Sequence, residues 1–241
     1  MLAHSMNELT RKKLKRISTA TIATALFKHG LRNQMIQGAL PLRPHPESMV
    51  GPAFTLRYIP AREDLNGIDV FRNPAHPQRA AIEQCPPGHV LVIDCRKDAR
   101  AASAGNILVT RLMVRGAAGI VTDGGFRDAA EIAALDFPAF HQRPSAPTNL
   151  TLNQAIDTQI PIGCGNAPVF PGDIIVGDTD GVIVIPAGIA DAIAEEAHEM
   201  TVFEDFVTER VRAGQSITGL YPPTDPANLK SFAVWREKLG R

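Results

Sequence analysis

The segment that most constrains how this chain can fold is GNILVTRLMVRGAAGIVTDGGFRD, residues 105–128. Its apolar spacing predicts a helix over about 107–115 that stops at Gly116, and the run AAGIVTD predicts a buried strand immediately afterwards. Two glycines follow Asp123, and a second helix is predicted over about 128–135. Connections this short keep strand ends close to helix starts, where α/β folds tend to bind ligands. The segment therefore predicts a mixed α/β protein with a candidate site at this turn.

Patterns elsewhere add helices and strands bounded by glycine, proline or a capping residue. The predicted helices are 18–29, 79–84 and 189–212, and the predicted strands are 53–59, 90–93, 160–164 and the two halves of a hairpin around Asp180-Gly181. Residues 60–78 are predicted to be a loop, and the proline-rich tail ends in a short segment around Trp235. We expect one domain, residues 1–241, with a core of about 18–213 and a C-terminal arm of 214–241.

The composition excludes general disorder and several classes of partner. Hydrophobic residues make up 44% of the 241 residues and charged residues 21%, which suits a soluble globular protein. Lys plus Arg and Asp plus Glu both number 25, so the chain lacks the basic excess of a nucleic-acid or membrane-surface binder. A net charge near zero also favours self-association. We expect no nucleic-acid or membrane partner.

The cysteines and the N-terminal segment bear on the cellular compartment. The three cysteines, Cys85, Cys95 and Cys164, are odd in number and lack CxxC spacing, so neither disulfides nor a zinc site are predicted. Residues 1–18 are basic, but no apolar stretch of signal-peptide character follows them, and no run approaches a membrane span. The expected location is the cytoplasm.

The candidate site residues lie at the two ends of the 105–128 segment. The backbone N–H groups of Asn106, Ile107 and Leu108, after Gly105, would form an anion site at a helix start. Arg127 offers a forked donor for a carboxylate or an enolate. Asp128 offers an oxygen ligand for Mg²⁺ or Mn²⁺. Together these groups would suit a 2-oxo acid.

Spacing alone leaves plainer interpretations open. Asp128 and Glu131 have the spacing of a capping box, so Asp128 could simply cap its helix. Arg127 could be a surface arginine, and Asp123 could belong to a plain turn. The acidic run GDTDG is better explained as a hairpin turn than as a calcium loop, and no nucleotide-binding or serine-hydrolase motif is present.

The 105–128 stretch, with PPGHVLVID before it and FPGDIIVGDTDGVIVIP after it, resembles the RraA-like family over about residues 18–219. That family includes 4-hydroxy-4-methyl-2-oxoglutarate aldolases, which also decarboxylate oxaloacetate, and regulators of ribonuclease E. The resemblance implies a compact β/β/α swivelling-domain fold with flanking helices, assembled as homotrimers or homohexamers. It also implies that Asp128 binds the divalent cation, that Arg127 contacts the 2-oxo acid, and that the amides of Ile107 and Leu108 hold its carboxylate.

The sequence departs from the aldolase pattern at one position. The aldolases carry an aspartate that positions water beside the metal, and the corresponding residue here is Asn106. Asparagine can still accept a hydrogen bond but brings no negative charge. The resemblance also implies a glutamate from a neighbouring subunit's C-terminal helix, for which Glu204 is the nearest match.

Two classes of function follow from these residues. The favoured hypothesis is a divalent-metal-dependent lyase that cleaves a 4-hydroxy-2-oxo acid, releases pyruvate and decarboxylates oxaloacetate. In this hypothesis Arg127 stabilises the enolate, while Asn106 and Glu204 position the water that carries the proton. A dehydratase or another lyase acting on a sugar-derived 2-oxo acid is the alternative within the enzyme class. The alternative outside it is a non-catalytic regulator that binds a ribonuclease, which Asn106 favours.

Overall fold

The computed structural model describes residues 6–241, with strands in the middle of the molecule and helices on either side. The helices are α1 (Glu8–Leu14), α2 (Thr19–Lys28), α3 (Pro77–Gln84), α4 (Asn106–Val114), α5 (Ala129–Ala134), α6 (Ala190–Arg212) and α7 (Pro226–Leu239). The strands are β1 (Met35–Ile36), β2 (Leu40–Pro41), β3 (Met49–Pro60), β4 (Val90–Asp94), β5 (Ala102–Ala104), β6 (Gly119–Thr122), β7 (Gly125–Phe126), β8 (Ala139–His141), β9 (Arg143–Pro144), β10 (Asn153–Thr158), β11 (Ile174–Asp178) and β12 (Gly181–Ile185).

Strand β3 connects the two halves of the main sheet, whose order is β1-β12-β11-β3-β4-β6-β8-β2, with β10 also paired to β3. Its first residues, Met49 to Pro52, pair antiparallel with β11, whereas Ala53 to Arg57 pair parallel with β4. The strands β4, β6 and β8 continue the parallel half. Strands β5, β7 and β9 form a small parallel sheet of their own.

Side chains alternate along the buried strands, so each half of the sheet has an inner and an outer face. One apolar cluster, here called the inner cluster, contains side chains from both halves of the sheet, among them Val90 and Val92 of β4. The alternate residues of β4, Leu91 and Ile93, pack with the side chains of α3 and α4. In the antiparallel half, Ile175 lies in the inner cluster, whereas its neighbours in β11 pack against α1, α2 and α6. The predicted mixed α/β fold, with a multi-stranded sheet and flanking helices, is confirmed.

Several predicted elements occur close to their expected positions. Helix α2 begins after Ser18, whose hydroxyl accepts a hydrogen bond from Thr21 N, as an N-cap does. The hairpin of β11 and β12 turns where Asp180 and Gly181 predicted it, with Gly181 at a φ of +131°. The Asp178 carboxylate accepts bonds from the backbone and hydroxyl of Thr19, so the structural interpretation of this acidic run holds.

Other predicted elements are wrong or incomplete. No strand forms over 160–164: Pro161 has no N–H for a ladder, a single bridge joins Ile162 to Val169, and a 3-10 helix follows at Cys164–Asn166. The strand predicted over 53–59 extends over Met49–Pro60, and the helix predicted over 79–84 begins at Pro77.

The C-terminal arm contains a helix where only a short segment was expected. Helix α7 begins after Asp225, whose side chain accepts a hydrogen bond from Ala227 N. Its aromatic residues pack on α6, where Phe232 and Trp235 contact Phe206. The arm therefore lies against the last long helix of the core.

Within residues 6–241, none of the helices is long and apolar enough to cross a membrane. The first five residues of the basic segment 1–18 lie outside the described part of the chain, and the remainder includes α1, which sequence patterns did not predict.

The stability of the protein should depend on pH through His141 in β8. This imidazole stacks on Phe126 at 5.3 Å between ring centroids, and burial lowers its pKa from 6.5 to about 4. The unfolded chain takes up a proton near pH 6.5 while the folded protein does not, so stability falls as pH drops from about 6.5 to about 4. We expect the His141→Phe protein to lose less stability than wild type over this pH range, by an amount on the order of 2 kcal/mol. Urea unfolding of wild type and His141→Phe at pH 7.5 and 4.5 measures the two losses of unfolding free energy. An equal loss in the two proteins would contradict the prediction.

Candidate active site

A cleft of about 160 Å³ lies where the first turns of α3 and α4 meet the β7–α5 connection. The residues that line it are Phe71, Gln78, Arg79, Ala102, Ala104, Gly105, Ile107, Leu108, Arg127, Asp128, Thr148 and Asn149. Five of the predicted site residues are therefore in one cleft: Gly105, Ile107, Leu108, Arg127 and Asp128. Its volume is below that of sites for drug-sized ligands and suits a small molecule.

The first turn of α4 offers fewer free donors than its sequence predicted. The N–H of Asn106 donates to Asp128 Oδ2 at 3.2 Å, and that of Leu108 donates to the Gly105 carbonyl at 3.1 Å. Within the described part of the chain, Ile107 N–H has no such partner. The positive end of the helix dipole adds to this donor, so an anion would bind chiefly at Ile107.

The structure contradicts the alternative interpretation of Asp128 as one half of a capping box. Asp128 precedes α5 with φ +56° and ψ +38°, a left-handed conformation, and its side chain makes no capping hydrogen bond to that helix. Its carboxylate instead reaches Asn106 N and lies 3.4 Å from Arg127 Nε. Left-handed backbone costs energy for residues other than glycine, and such residues cluster at functional sites. Asp128 is thus directed to the cleft rather than to its own helix.

Gly105 allows this close approach between α4 and the Arg127-Asp128 pair. A Cβ at position 105 would lie 2.7 Å from Arg127 Cγ and 2.8 Å from Asp128 Oδ2. Both distances are shorter than van der Waals contact, so a larger residue would displace the two side chains.

Substitution of Gly105 by alanine should therefore impair the site without unfolding the protein. If the lyase hypothesis of the sequence analysis holds, we expect Gly105→Ala to weaken Mg²⁺ binding and lyase activity by about tenfold or more, because misplaced ligating and substrate-positioning groups have effects of that size. Titration calorimetry measures the Mg²⁺ binding, and a pyruvate assay measures the lyase activity. Gly188→Ala is the matched control, since a Cβ there has nothing within 4 Å. Full activity of Gly105→Ala would contradict the close approach.

Asn106 and Glu204 lie apart from the centre of the cleft within one chain. The Asn106 Oδ1 accepts a hydrogen bond from Thr110 Oγ1 at 3.0 Å. Glu204 accepts hydrogen bonds from Thr21 Oγ1 and Tyr221 OH and lines a different cavity, beside α2 and the C-terminal arm. Any role of Glu204 in the cleft requires a second copy of the chain.

Sequence patterns missed the part of the cleft wall that is formed by Phe71, Gln78, Arg79 and Asn149. Phe71 lies in a 3-10 helix, Ile68–Arg72, within the predicted loop, and Gln78 and Arg79 form the first turn of α3. Asn149 is buried and accepts from Gln78 Nε2 at 3.3 Å. No motif or periodicity marks these residues, because their proximity depends on how the 60–78 segment folds over the sheet.

Asp123 is structural and holds the loops behind the cleft together. Its fully buried carboxylate accepts hydrogen bonds from the backbone N–H groups of Cys95, Lys97 and Gly165 at 2.6–3.0 Å. Burial raises the pKa of this carboxyl, and the bonds from Gly165, Cys95 and Lys97 counter the rise. Burial likewise raises the pKa of the Cys95 and Cys164 thiols, so these free cysteines are unreactive small hydrophobes.

The residues present fit a sparsely ligated divalent cation rather than an enclosed metal site. In the described residues there is no cluster of three or more His, Cys, Asp or Glu side chains that could hold a metal. Asp128 supplies the one carboxylate among the residues that line the cleft, and its side chain is 38% exposed. Mg²⁺ commonly binds through one or two carboxylates while keeping several waters, so such an ion is compatible with Asp128.

This chain belongs to the RraA-like family, since the family model described as Aldolase/RraA matches residues 19–184, more than half of its length. The family contains both aldolase and decarboxylase enzymes and regulators of ribonuclease E.

Two solved structures are similar to this chain in fold. A Streptomyces coelicolor protein, RraAS2, described as an unusual member of the RNase ES inhibitor RraA protein family, has 28% identity and a TM-score of 0.74 over 84% of this chain and 97% of its own. An uncharacterized Pseudomonas syringae protein, 21% identical, shares the fold with a TM-score of 0.79 over 92% of this chain and 96% of its own.

A Halalkalibacterium halodurans protein named "Putative 4-hydroxy-4-methyl-2-oxoglutarate aldolase" is 38% identical over 117 residues, 48% of this chain and 55% of that protein. The chain spans 55% or less of the length of the curated relatives it matches.

Proposed function

We propose that this protein is a divalent-metal-dependent carbon–carbon lyase acting on a 2-oxo acid. The observation that supports this most is the meeting of Arg127, Asp128 and the first turn of α4 in one small cleft. The similarity to the Halalkalibacterium halodurans protein, which is named "Putative 4-hydroxy-4-methyl-2-oxoglutarate aldolase", also supports the proposal.

The chain's own groups would orient the substrate and stabilise its charge. The free N–H of Ile107 would hold the substrate carboxylate, and the guanidinium of Arg127 would donate hydrogen bonds to the 2-oxo oxygen. When a divalent cation is bound at Asp128, it would supply Lewis-acid polarisation of the 2-oxo group.

Cleavage of a 4-hydroxy-2-oxo acid would proceed by retro-aldol chemistry. The C4 hydroxyl loses its proton, the C3–C4 bond breaks, and its electron pair forms the enolate of pyruvate, whose oxygen Arg127 stabilises. C3 then takes up a proton to give pyruvate, while C4 leaves as a carbonyl. Neither histidine nor lysine is among the described residues that line the cleft, so water would carry the proton.

The direct test is an assay for pyruvate with oxaloacetate and with several 4-hydroxy-2-oxo acids, with Mg²⁺ or with a chelator. We expect metal-dependent pyruvate release from at least one of them. No release from any of these substrates, with or without Mg²⁺ or Mn²⁺, would contradict the proposal. Elimination of water instead of bond cleavage would identify the dehydratase alternative.

A regulator that binds a ribonuclease is the second candidate, and Asn106 favours it. Its side chain carries no charge, and its oxygen is already engaged by Thr110. Capture of a ribonuclease by the purified protein, together with no measurable Mg²⁺ affinity, would favour the regulator over the enzyme.

We also propose that the protein works as a homotrimer or homohexamer. Two apolar side chains of α4 are exposed, Ile107 at the cleft (83%) and Val114 at the other end of the helix (68%), and a second copy could cover them. In such an assembly Glu204 of one copy would complete the site of another. Light scattering that gives an active monomer of about 26 kDa, the chain mass, would contradict this shared site.

A further inference from the structure

The wall of the cleft formed by α3 and the 3-10 helix Ile68–Arg72 carries a second cation. Arg79 lies in the first turn of α3, and its guanidinium carbon is 4.4 Å from the centre of the Phe71 ring. Stacking of this kind holds an arginine in place and leaves its N–H donors free at the edge of the plane. Arg79 is thus preorganised in the same cleft as the Arg127-Asp128 pair.

Arg79 is a half-buried cation without a carboxylate partner among residues 6–241. Arg127 has Asp128 nearby at 3.4 Å, and Arg72, on the 3-10 helix that carries Phe71, is paired with Asp69 at 3.0 Å. The positive charge of Arg79 adds to burial in lowering the pKa of the neighbouring His76. A partly desolvated guanidinium with no counter-charge favours binding of an anion from solution.

The neighbouring Gln78 adds a buried acceptor to this wall. Gln78 Nε2 donates to the Ser103 carbonyl at 2.7 Å and lies 3.3 Å from Asn149 Oδ1, which fixes the orientation of the amide. Gln78 Oε1 is then left buried without a partner in the described residues. A buried acceptor without a donor is costly, and a ligand hydroxyl would satisfy it.

We propose that Arg79 is a specificity-determining residue that binds a second carboxylate, at the end of the substrate away from its 2-oxo group. This assignment rests on the proposed function and narrows its substrate class to 2-oxo acids with two carboxylates. Gln78 Oε1 accepts a hydrogen bond from a substrate hydroxyl between the two ends. The cleft thereby binds the carboxylate beside the 2-oxo group at the Ile107 N–H and the distal carboxylate at Arg79.

The test compares two substrates of equal length. Wild-type protein and Arg79→Met are assayed for pyruvate with 4-hydroxy-2-oxoglutarate and with 4-hydroxy-2-oxopentanoate, which has a methyl group in place of the distal carboxylate. We expect wild type to prefer the dicarboxylate in kcat/KM by tenfold or more, and Arg79→Met to lose that preference through a higher KM. Arg72→Met is the matched control, since Arg72 is exposed and paired with Asp69, and it should keep the preference.

A binding measurement separates this proposal from the proposed function. Calorimetry with 2-oxoglutarate and 2-oxopentanoate, neither of which can undergo the cleavage, should show tighter binding of the dicarboxylate to wild type and equal binding to Arg79→Met. This pattern without any turnover would overturn the lyase proposal and support the carboxylate site. Equal binding of both acids to wild type would overturn the carboxylate site, and so would the absence of binding of either acid. An unchanged preference for the dicarboxylate in Arg79→Met would also overturn it.

Discussion

Replacement of Asp128 by asparagine should strongly reduce the proposed Mg²⁺-dependent lyase activity while leaving the folded protein intact. The variant removes the charged oxygen that the chain offers to a cation in the cleft, so we expect metal-dependent pyruvate release to fall at least about 100-fold. Asparagine tolerates the left-handed backbone of this position as well as aspartate does. Its amide oxygen can also accept the hydrogen bond from Asn106 N.

The measurements for this variant are pyruvate release, Mg²⁺ titration and thermal unfolding. We expect the free energy of unfolding without metal to change by only a few tenths of a kcal/mol, since Asp128 does not cap α5. Glu131→Gln, an exposed carboxylate in the first turn of α5, is the control and should keep full activity. Retention of metal affinity and activity by Asp128→Asn would mean that the active site is elsewhere.

Replacement of Asp123 by alanine should have the largest effect on stability. It leaves three backbone N–H groups, those of Cys95, Lys97 and Gly165, without their acceptor in the interior. Each unsatisfied buried donor costs roughly 1–3 kcal/mol, partly offset here because a buried carboxylate is itself costly, so we expect a loss of about 4 kcal/mol.

Denaturant unfolding followed by circular dichroism measures this loss. Glu63→Ala, an exposed residue, is the control and should change stability by less than about 0.5 kcal/mol. An Asp123→Ala protein as stable as wild type would show that these hydrogen bonds do not hold the loops together.

Local patterns predicted the elements whose determinants are local. Helix α2 carries its Ser18 cap, and the β11–β12 hairpin its Asp180-Gly181 turn, within a few residues of sequence. Helix α7 also has a local start, with Asp225 as N-cap and Pro226 at the first position, but the prolines of the arm concealed it.

The remaining features depend on contacts between distant parts of the chain. The spacing of Asp128 and Glu131 is that of a capping box, but the left-handed backbone of Asp128 turns its carboxylate to Asn106 on another helix. The pairing of Phe71 with Arg79 depends on the fold of a segment without periodicity. The 105–128 segment and the family resemblance both pointed to Arg127 and Asp128, whereas the part of the cleft formed by Phe71 and Arg79 required the three-dimensional structure.

The docking of the C-terminal arm on α6 determines what intrinsic fluorescence can report. Trp235 is the single tryptophan of the chain, and it contacts Phe206 and donates to Glu209, while α7 itself has no buried residue. A helix at the end of the chain without a buried residue belongs to the part of a protein that opens locally before the rest. Tryptophan emission therefore follows the release of the arm, and a fluorescence melting curve would describe that local event rather than the loss of the central strands.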